Sequence, residues 1–85
     1  MVLPDQPITL SVEQIKELNE KMSDMRHDVN NHLSLLMAGI EVVRVKPEMA
    51  ERMFIKMNEQ PAKISRAIGK FSEAFDQALG IVRPR

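Results

Sequence analysis

Residues 26–36, which read RHDVNNHLSLL, hold the side chains of this chain that are best suited to chemistry. They include two imidazoles, one carboxylate and two amides: His27, His32, Asp28, Asn30 and Asn31. An imidazole acts as a nucleophile, a proton carrier or a metal ligand, according to its partners. Asn, Asp and His are poorer helix formers than Ala or Leu. The segment is therefore either a site of chemistry or the polar surface of an ordinary helix.

The apolar residues on both sides of this cluster predict the helix that carries it. They recur in steps of three and four, which is helical spacing. The stripe comprises Val12, Ile15, Leu18, Met22, Met25, Val29, Leu33, Leu36, Ile40 and Val43. Ser11 and Gln14 have the spacing of a capping box at its start, and Pro47 disfavours helix at Lys46. We therefore predict a first helix over about 11–44.

A second apolar stripe predicts a second helix over about 47–79. Its members are Ala50, Met53, Phe54, Met57, Ile64, Ile68, Phe71, Phe75 and Ala78. Pro61 removes a backbone hydrogen bond inside this helix, so we expect a kink near 58–61. Gly80 is suited to a C-terminal cap. Residues 1–10, with two prolines, are then an N-terminal arm, and residues 81–85 are a short tail.

These elements predict an all-α fold, because strand alternation and hairpin dipeptides are missing from the sequence. Residues 11–80 would form a two-helix antiparallel hairpin. Two helices alone cover both apolar stripes poorly, whereas two hairpins packed together cover them well. We therefore expect a homodimer that forms a four-helix bundle.

The helical spacing places the two histidines on different faces of the first helix. At about 100° per residue, His27 lies about 150° from the centre of the apolar stripe and His32 about 70° from it. His27 is thus expected on the outer face, where Asn31 lies one turn further on and small residues such as Ser34 leave the imidazole accessible. His32 is expected at the edge of the core. The two rings diverge by about 140°, so we expect no shared metal ion.

The order of residues in HDVNNHL resembles the phosphoacceptor box of sensor histidine kinases, in the branch that reads His-Asp-Phe-Asn-Asn-x-Leu. The segment ISRAIGKFSEAF also looks like the second helix of the dimerisation and phosphotransfer domain of those kinases. The resemblance implies a helical hairpin that dimerises into a four-helix bundle. It further implies phosphotransfer in a two-component or phosphorelay system.

The resemblance also implies roles for individual residues. His27 matches the histidine that accepts the phosphoryl group. Asp28 matches the acidic neighbour that hydrogen-bonds the other ring nitrogen and draws off its proton, as a general base or orienting acid. Asn31 matches the amide that positions phosphate or water, and Asn30 matches the second asparagine of the branch. Arg26 is a candidate for attracting phosphate, with a solvated surface arginine as the alternative. His32 stands where many relatives carry proline.

The resemblance implies particular partners and cofactors. A receiver domain would bring an aspartate and Mg²⁺ to the histidine, while this chain binds no cofactor itself. The sequence contains no box that resembles an ATP-binding domain, so ATP would act only through a separate histidine kinase catalytic domain. Both a fragment of a larger kinase and a stand-alone phosphotransfer protein fit the sequence. Met53, Phe54 and Met57 are candidates for receiver docking, with core packing the favoured interpretation.

Composition limits the other classes of function. Lys and Arg total 12 and so do Asp and Glu, which gives no electrostatic case for binding nucleic acid or an anionic membrane. The sequence has no cysteine and no apolar run of about 20 residues, so we expect a cytoplasmic protein without a membrane span. The alternatives to phosphotransfer are a non-catalytic dimerisation or adaptor module and a protein that regulates a kinase.

Overall fold

The computed structural model describes residues 1–84, which form a hairpin of α-helices. Helix α1 spans Val12–Val45, α2 spans Ala50–Asn58 and α3 spans Gln60–Leu79. A short 3-10 turn at Pro47–Met49 joins α1 to α2. The described part of the chain contains no β-strand, which confirms the all-α prediction. The hairpin is thin and elongated, measuring 58 × 27 × 12 Å, with α2 and α3 running antiparallel to α1.

The start of α1 is fixed by a reciprocal cap. The Ser11 hydroxyl accepts a hydrogen bond from the Gln14 backbone N–H at 3.1 Å, and the Gln14 side chain accepts one from the Ser11 N–H at 2.8 Å. This is the capping box expected from the sequence, and it satisfies two backbone donors at the helix end. From this cap α1 continues for 34 residues and carries the polar cluster near its middle.

The second half of the hairpin is interrupted at the expected proline. Helix α2 ends at Asn58, Glu59 is a turn residue, and α3 begins at Gln60 with Pro61 in its first turn. Proline fits the first turn of a helix because an N–H there has no partner within the helix. The interruption lies where the kink was predicted, but it divides the predicted single second helix into α2 and α3.

The end of α3 is capped, and the tail returns to the N-terminal arm. Gly80 has φ 69°, a left-handed conformation that glycine adopts without strain, and the Ile81 N–H donates to the Asp76 carbonyl at 2.8 Å. Val2 and Val82 then form an antiparallel bridge with N–O distances of 2.6 and 2.9 Å. The tail was predicted as residues 81–85, of which Arg85 lies outside the described residues.

A glycine of α1 lies where the two halves of the hairpin pack tightly. A Cβ atom built on Gly39 would lie 2.7 Å from Met57 Cγ and 2.8 Å from its Sδ, which is closer than ordinary van der Waals contact. Gly39 is therefore a place where α1 and α2 pack with no room for a side chain. Gly69 on α3 offers the opposite environment, with nothing within 4 Å of a built Cβ.

We expect alanine to have opposite effects at these two glycines. Gly69→Ala should raise the free energy of unfolding by about 0.5–1 kcal/mol, because it removes the entropy cost of a helical glycine. Gly39→Ala should lose this gain because Met57 must move. Thermal unfolding at one fixed protein concentration measures both effects. An equal gain at both positions would contradict the close packing at Gly39.

Part of each predicted apolar stripe has no partner within the hairpin. On α1, Leu18, Met25, Val29, Leu36 and Val43 are half-buried against the other helices. Ten large apolar side chains are exposed on α1 and α3, and six of them belong to one group: Ile15, Met22, Leu33, Ile40, Ile68 and Phe75. Their angular positions about the two helix axes place them on one side of the hairpin, which we call the open apolar face. No large side chain within residues 1–84 is fully buried.

None of the helices within residues 1–84 is both long enough and apolar enough to cross a bilayer.

Candidate functional site

His27 lies on the outer surface of α1, which is the position expected from the helical spacing. Its side chain is 82% exposed, and its Nδ1 lies 4.0 Å from Asp28 Oδ1. This separation is longer than a hydrogen bond, but both side chains are exposed and the carboxylate is next to the ring. The arrangement is an accessible imidazole beside an acid on a rigid helix, which suits reaction with a group carried by another molecule.

The other residues of the candidate site surround His27 on the same helix. Arg26, Asn30, Asn31 and Ser34 are all exposed. Asn31 follows His27 by one helical turn and shares its surface, while Asn30 points about 60° away from His27 around the helix. Of the docking candidates on α2, Met53 and Met57 are half-buried, and Phe54 is 55% exposed. The helical spacing therefore groups Asn31 and Ser34 with His27, turns Arg26 about 100° away around the helix, and leaves the α2 residues near the turn of the hairpin.

His32 differs from His27 in having a partner across the hairpin. It is half-buried, and its Nδ1 lies 2.7 Å from Oε1 of Gln60 at the start of α3. Gln60 is 6% exposed and is the one buried polar side chain among residues 1–84. This bond joins α1 to α3 at the helix break.

The hydrogen bonds of Gln60 determine the tautomer of His32. The Gln60 Nε2 donates to the Lys56 carbonyl at 3.2 Å, and a carbonyl oxygen can only accept. The opposite end of the amide, Oε1, is thereby directed at His32, so the imidazole must donate from Nδ1. The neutral ring then has its lone pair on Nε2. This nitrogen has no hydrogen-bond partner within residues 1–84 and remains accessible to solvent.

We expect Gln60→Met to destabilise the hairpin by about 1–3 kcal/mol. Methionine has a similar shape, but it leaves the His32 donor without a partner in a half-buried position. Gln77→Met, at an exposed glutamine of the same helix, is the matched control and should change the free energy of unfolding little. Urea denaturation of both variants measures the difference. Equal stability of the two variants would contradict a structural role for the amide.

A groove between α1 and α3 lies beside His32, on the side opposite the open apolar face. It has a volume of about 190 Å³ and is lined by Asp28, His32, Lys63, Arg66, Ala67 and Lys70. Three cations face one carboxylate in this groove. None of the three forms an ion pair with a carboxylate of residues 1–84. We call Lys63, Arg66 and Lys70 the cationic cluster.

Metal binding and known relatives do not identify the site. Within residues 1–84, no group of three or more Asp, Glu or His side chains is arranged to hold a metal ion. No family model, curated protein or solved structure matches this chain. The function proposed below therefore rests on the side chains of the chain itself.

Sequence reasoning missed Gln60 and the cationic cluster. The one signal for Gln60 in the sequence was its position directly before Pro61, at the expected kink. The cationic residues follow one another at steps of three and four, which places them on one face of α3. Spacing alone did not indicate that this face borders His32.

Proposed function

We propose that this chain is a phosphoacceptor domain that acts as a homodimer in the cytoplasm, exchanging a phosphoryl group between His27 and the aspartate of a receiver domain. The observation that carries the proposal is the exposed imidazole of His27, 82% accessible beside Asp28. The sequence order HDVNN adds the resemblance to the phosphoacceptor box of histidine kinases.

The proposed chemistry needs one nucleophilic nitrogen and one nearby carboxylate. Asp28 would hold the proton on Nδ1 of His27, which leaves the lone pair on Nε2. Nε2 would attack phosphorus, forming an N–P bond while the P–O bond to the aspartate breaks and its electrons leave with the carboxylate. Mg²⁺ would be supplied by the receiver domain and would neutralise charge on the phosphoryl group. This chain would contribute position, access and the proton held by Asp28.

The proposed assembly follows from the open apolar face. Apolar patches of this kind mark interaction sites, because exposing them to water is unfavourable. Pairing two copies through this face would bury Leu33 and Ile40 of α1 together with Ile68 and Phe75 of α3. His27 lies on the outer surface of α1, away from this face, so dimerisation leaves the imidazole open to a receiver domain.

The test of the proposal is transfer of label from a phosphorylated receiver domain. The chain is incubated with a panel of receiver domains that carry radioactive phosphate, and acid-labile, alkali-stable label on the chain is measured. We expect label on the wild-type chain with at least one receiver and none on His27→Gln. Equal labelling of both proteins would contradict the assignment of His27, and absence of label with the whole panel would contradict the function.

The open apolar face favours a second function of another class. A non-catalytic dimerisation or adaptor module, or a protein that regulates a kinase, would use this face without chemistry at His27. Such a protein would form the same dimer and would remain unlabelled by every receiver domain, so the labelling experiment separates the two functions.

A further inference from the structure

We infer that the groove between α1 and α3 is a binding site for a phosphate group, formed by His32 and the cationic cluster. The phosphoacceptor His27 does not line this groove, although its neighbour Asp28 does. The inference depends on three observations. The cations of the cluster form no ion pairs with carboxylates of residues 1–84, and His32 donates from Nδ1, which leaves Nε2 free. A small side chain, Ala67, lines the groove.

The cationic cluster supplies donors that are not held in ion pairs with carboxylates of residues 1–84. Lysine and arginine side chains carry only hydrogen-bond donors, and their bonds to a charged oxygen are stronger than neutral ones. Lys63, Arg66 and Lys70 lie on the same face of α3 and line one groove. Asp28 opposes an anion at the α1 edge, but three positive charges face this one negative charge. The groove therefore has an excess of positive charge although the chain as a whole is neutral.

His32 makes the groove more suitable for phosphate than for a carboxylate. The Nδ1–H of His32 donates to Gln60 Oε1, so Nε2 is the nitrogen available to a ligand. As a neutral ring, His32 accepts a hydrogen bond from the P–OH of hydrogen phosphate, and as an imidazolium it donates one to a phosphate oxygen. An ionised carboxylate has no proton to give to a neutral Nε2.

The base of the groove leaves room for the ligand. Ala67 lines it between the cationic residues of α3, and this residue is 9% exposed. A larger side chain at this position would take up part of the groove. The groove volume of about 190 Å³ is open at the surface, so a phosphate group can enter either as a free ion or on a larger molecule.

The inference is tested by following the histidine rings during a phosphate titration. The 85-residue chain, labelled with nitrogen-15, is titrated with inorganic phosphate at constant ionic strength, and the Nε2 and Nδ1 signals of both histidines are recorded by NMR. We expect a saturable shift of His32 Nε2. Arg66→Gln should weaken binding about tenfold, which corresponds to about 1.4 kcal/mol. Lys46→Gln, which removes an exposed cation near the hairpin turn, is the matched control and should leave the affinity unchanged.

The controls distinguish a specific phosphate site from general attraction of anions to a positively charged surface. A shift of His32 that does not saturate, or equal affinities of Arg66→Gln and Lys46→Gln, would overturn the inference. The same titration of His27→Gln should give the wild-type affinity, because the groove lacks His27; this keeps the result independent of phosphotransfer. A parallel titration with O-phosphoserine identifies the source: tighter binding than inorganic phosphate assigns a phosphate carried on a protein side chain, and weaker binding assigns the free ion.

Discussion

Replacing His27 by Gln is expected to abolish phosphoryl transfer from a receiver domain to this chain. Glutamine keeps a polar side chain of similar reach at the exposed position, but its amide nitrogen has no lone pair available for attack. The substitution should leave the hairpin intact, because the side chain of His27 is 82% exposed and that of its neighbour Asp28 is exposed as well. Far-UV circular dichroism and the oligomeric state serve as checks on folding.

A second substitution tests the role of the carboxylate. Asp28→Asn keeps the shape but removes the charge that would hold the Nδ1 proton, so we expect transfer about 100-fold slower, within the range for general acid–base catalysis. Glu48→Gln removes an exposed carboxylate at the hairpin turn and should transfer at the wild-type rate. Single-turnover rates at saturating receiver concentration measure the chemical step. Equal rates for Asp28→Asn and Glu48→Gln would exclude a specific contribution from Asp28.

The local features of the fold could be predicted from the sequence because each depends on a few neighbouring residues. The capping box needs Ser11 and Gln14 three residues apart, and it forms as expected. The break before Pro61 follows from the missing N–H of proline, and the left-handed Gly80 follows from the freedom of glycine. These signals place the ends of the helices without any knowledge of the rest of the chain.

Contacts between distant segments were not readable in the same way. The bond between His32 and Gln60 joins residues 28 positions apart, and the bridge between Val2 and Val82 joins the two ends of the described chain. Both depend on the register of α3 against α1. That register depends in turn on packing details such as the close approach at Gly39, which the apolar pattern does not encode. The sequence predicted that His32 lies at the edge of the core, but its partner Gln60 could be identified only once the register of α3 against α1 was known.

The apolar stripes predicted more buried surface than one hairpin provides. On α1, the side chains at Met25 and Val29 face the other helices, while Leu33 and Ile40 remain exposed. A single antiparallel partner covers only one part of a helix surface, so a wide stripe leaves a second part uncovered. The width of the stripe therefore carries information about assembly as well as about the hairpin.

Replacing Leu33 by Glu is expected to convert the proposed dimer into monomers. Leu33 is 43% exposed in the single chain and lies on the open apolar face. A carboxylate there would lose its water on dimerisation and would lie in the same apolar interface as its copy from the other subunit. We expect the dissociation constant of the dimer to rise about 100-fold or more, which corresponds to about 2.7 kcal/mol.

The neighbouring residue provides the matched control for this prediction. Ser34 is exposed and lies about 100° further around α1, on the outer surface near His27. Ser34→Glu introduces the same charge one residue away and should leave the dissociation constant within about twofold, since surface substitutions change stability little. Sedimentation equilibrium of both variants measures the constants. Weaker dimerisation of Leu33→Glu alone would assign the interface to the open apolar face, on the side of the hairpin opposite the cationic groove. A wild-type chain that is monomeric at high concentration would show that this face does not pair two copies. Equal weakening of the dimer by both variants would show the same.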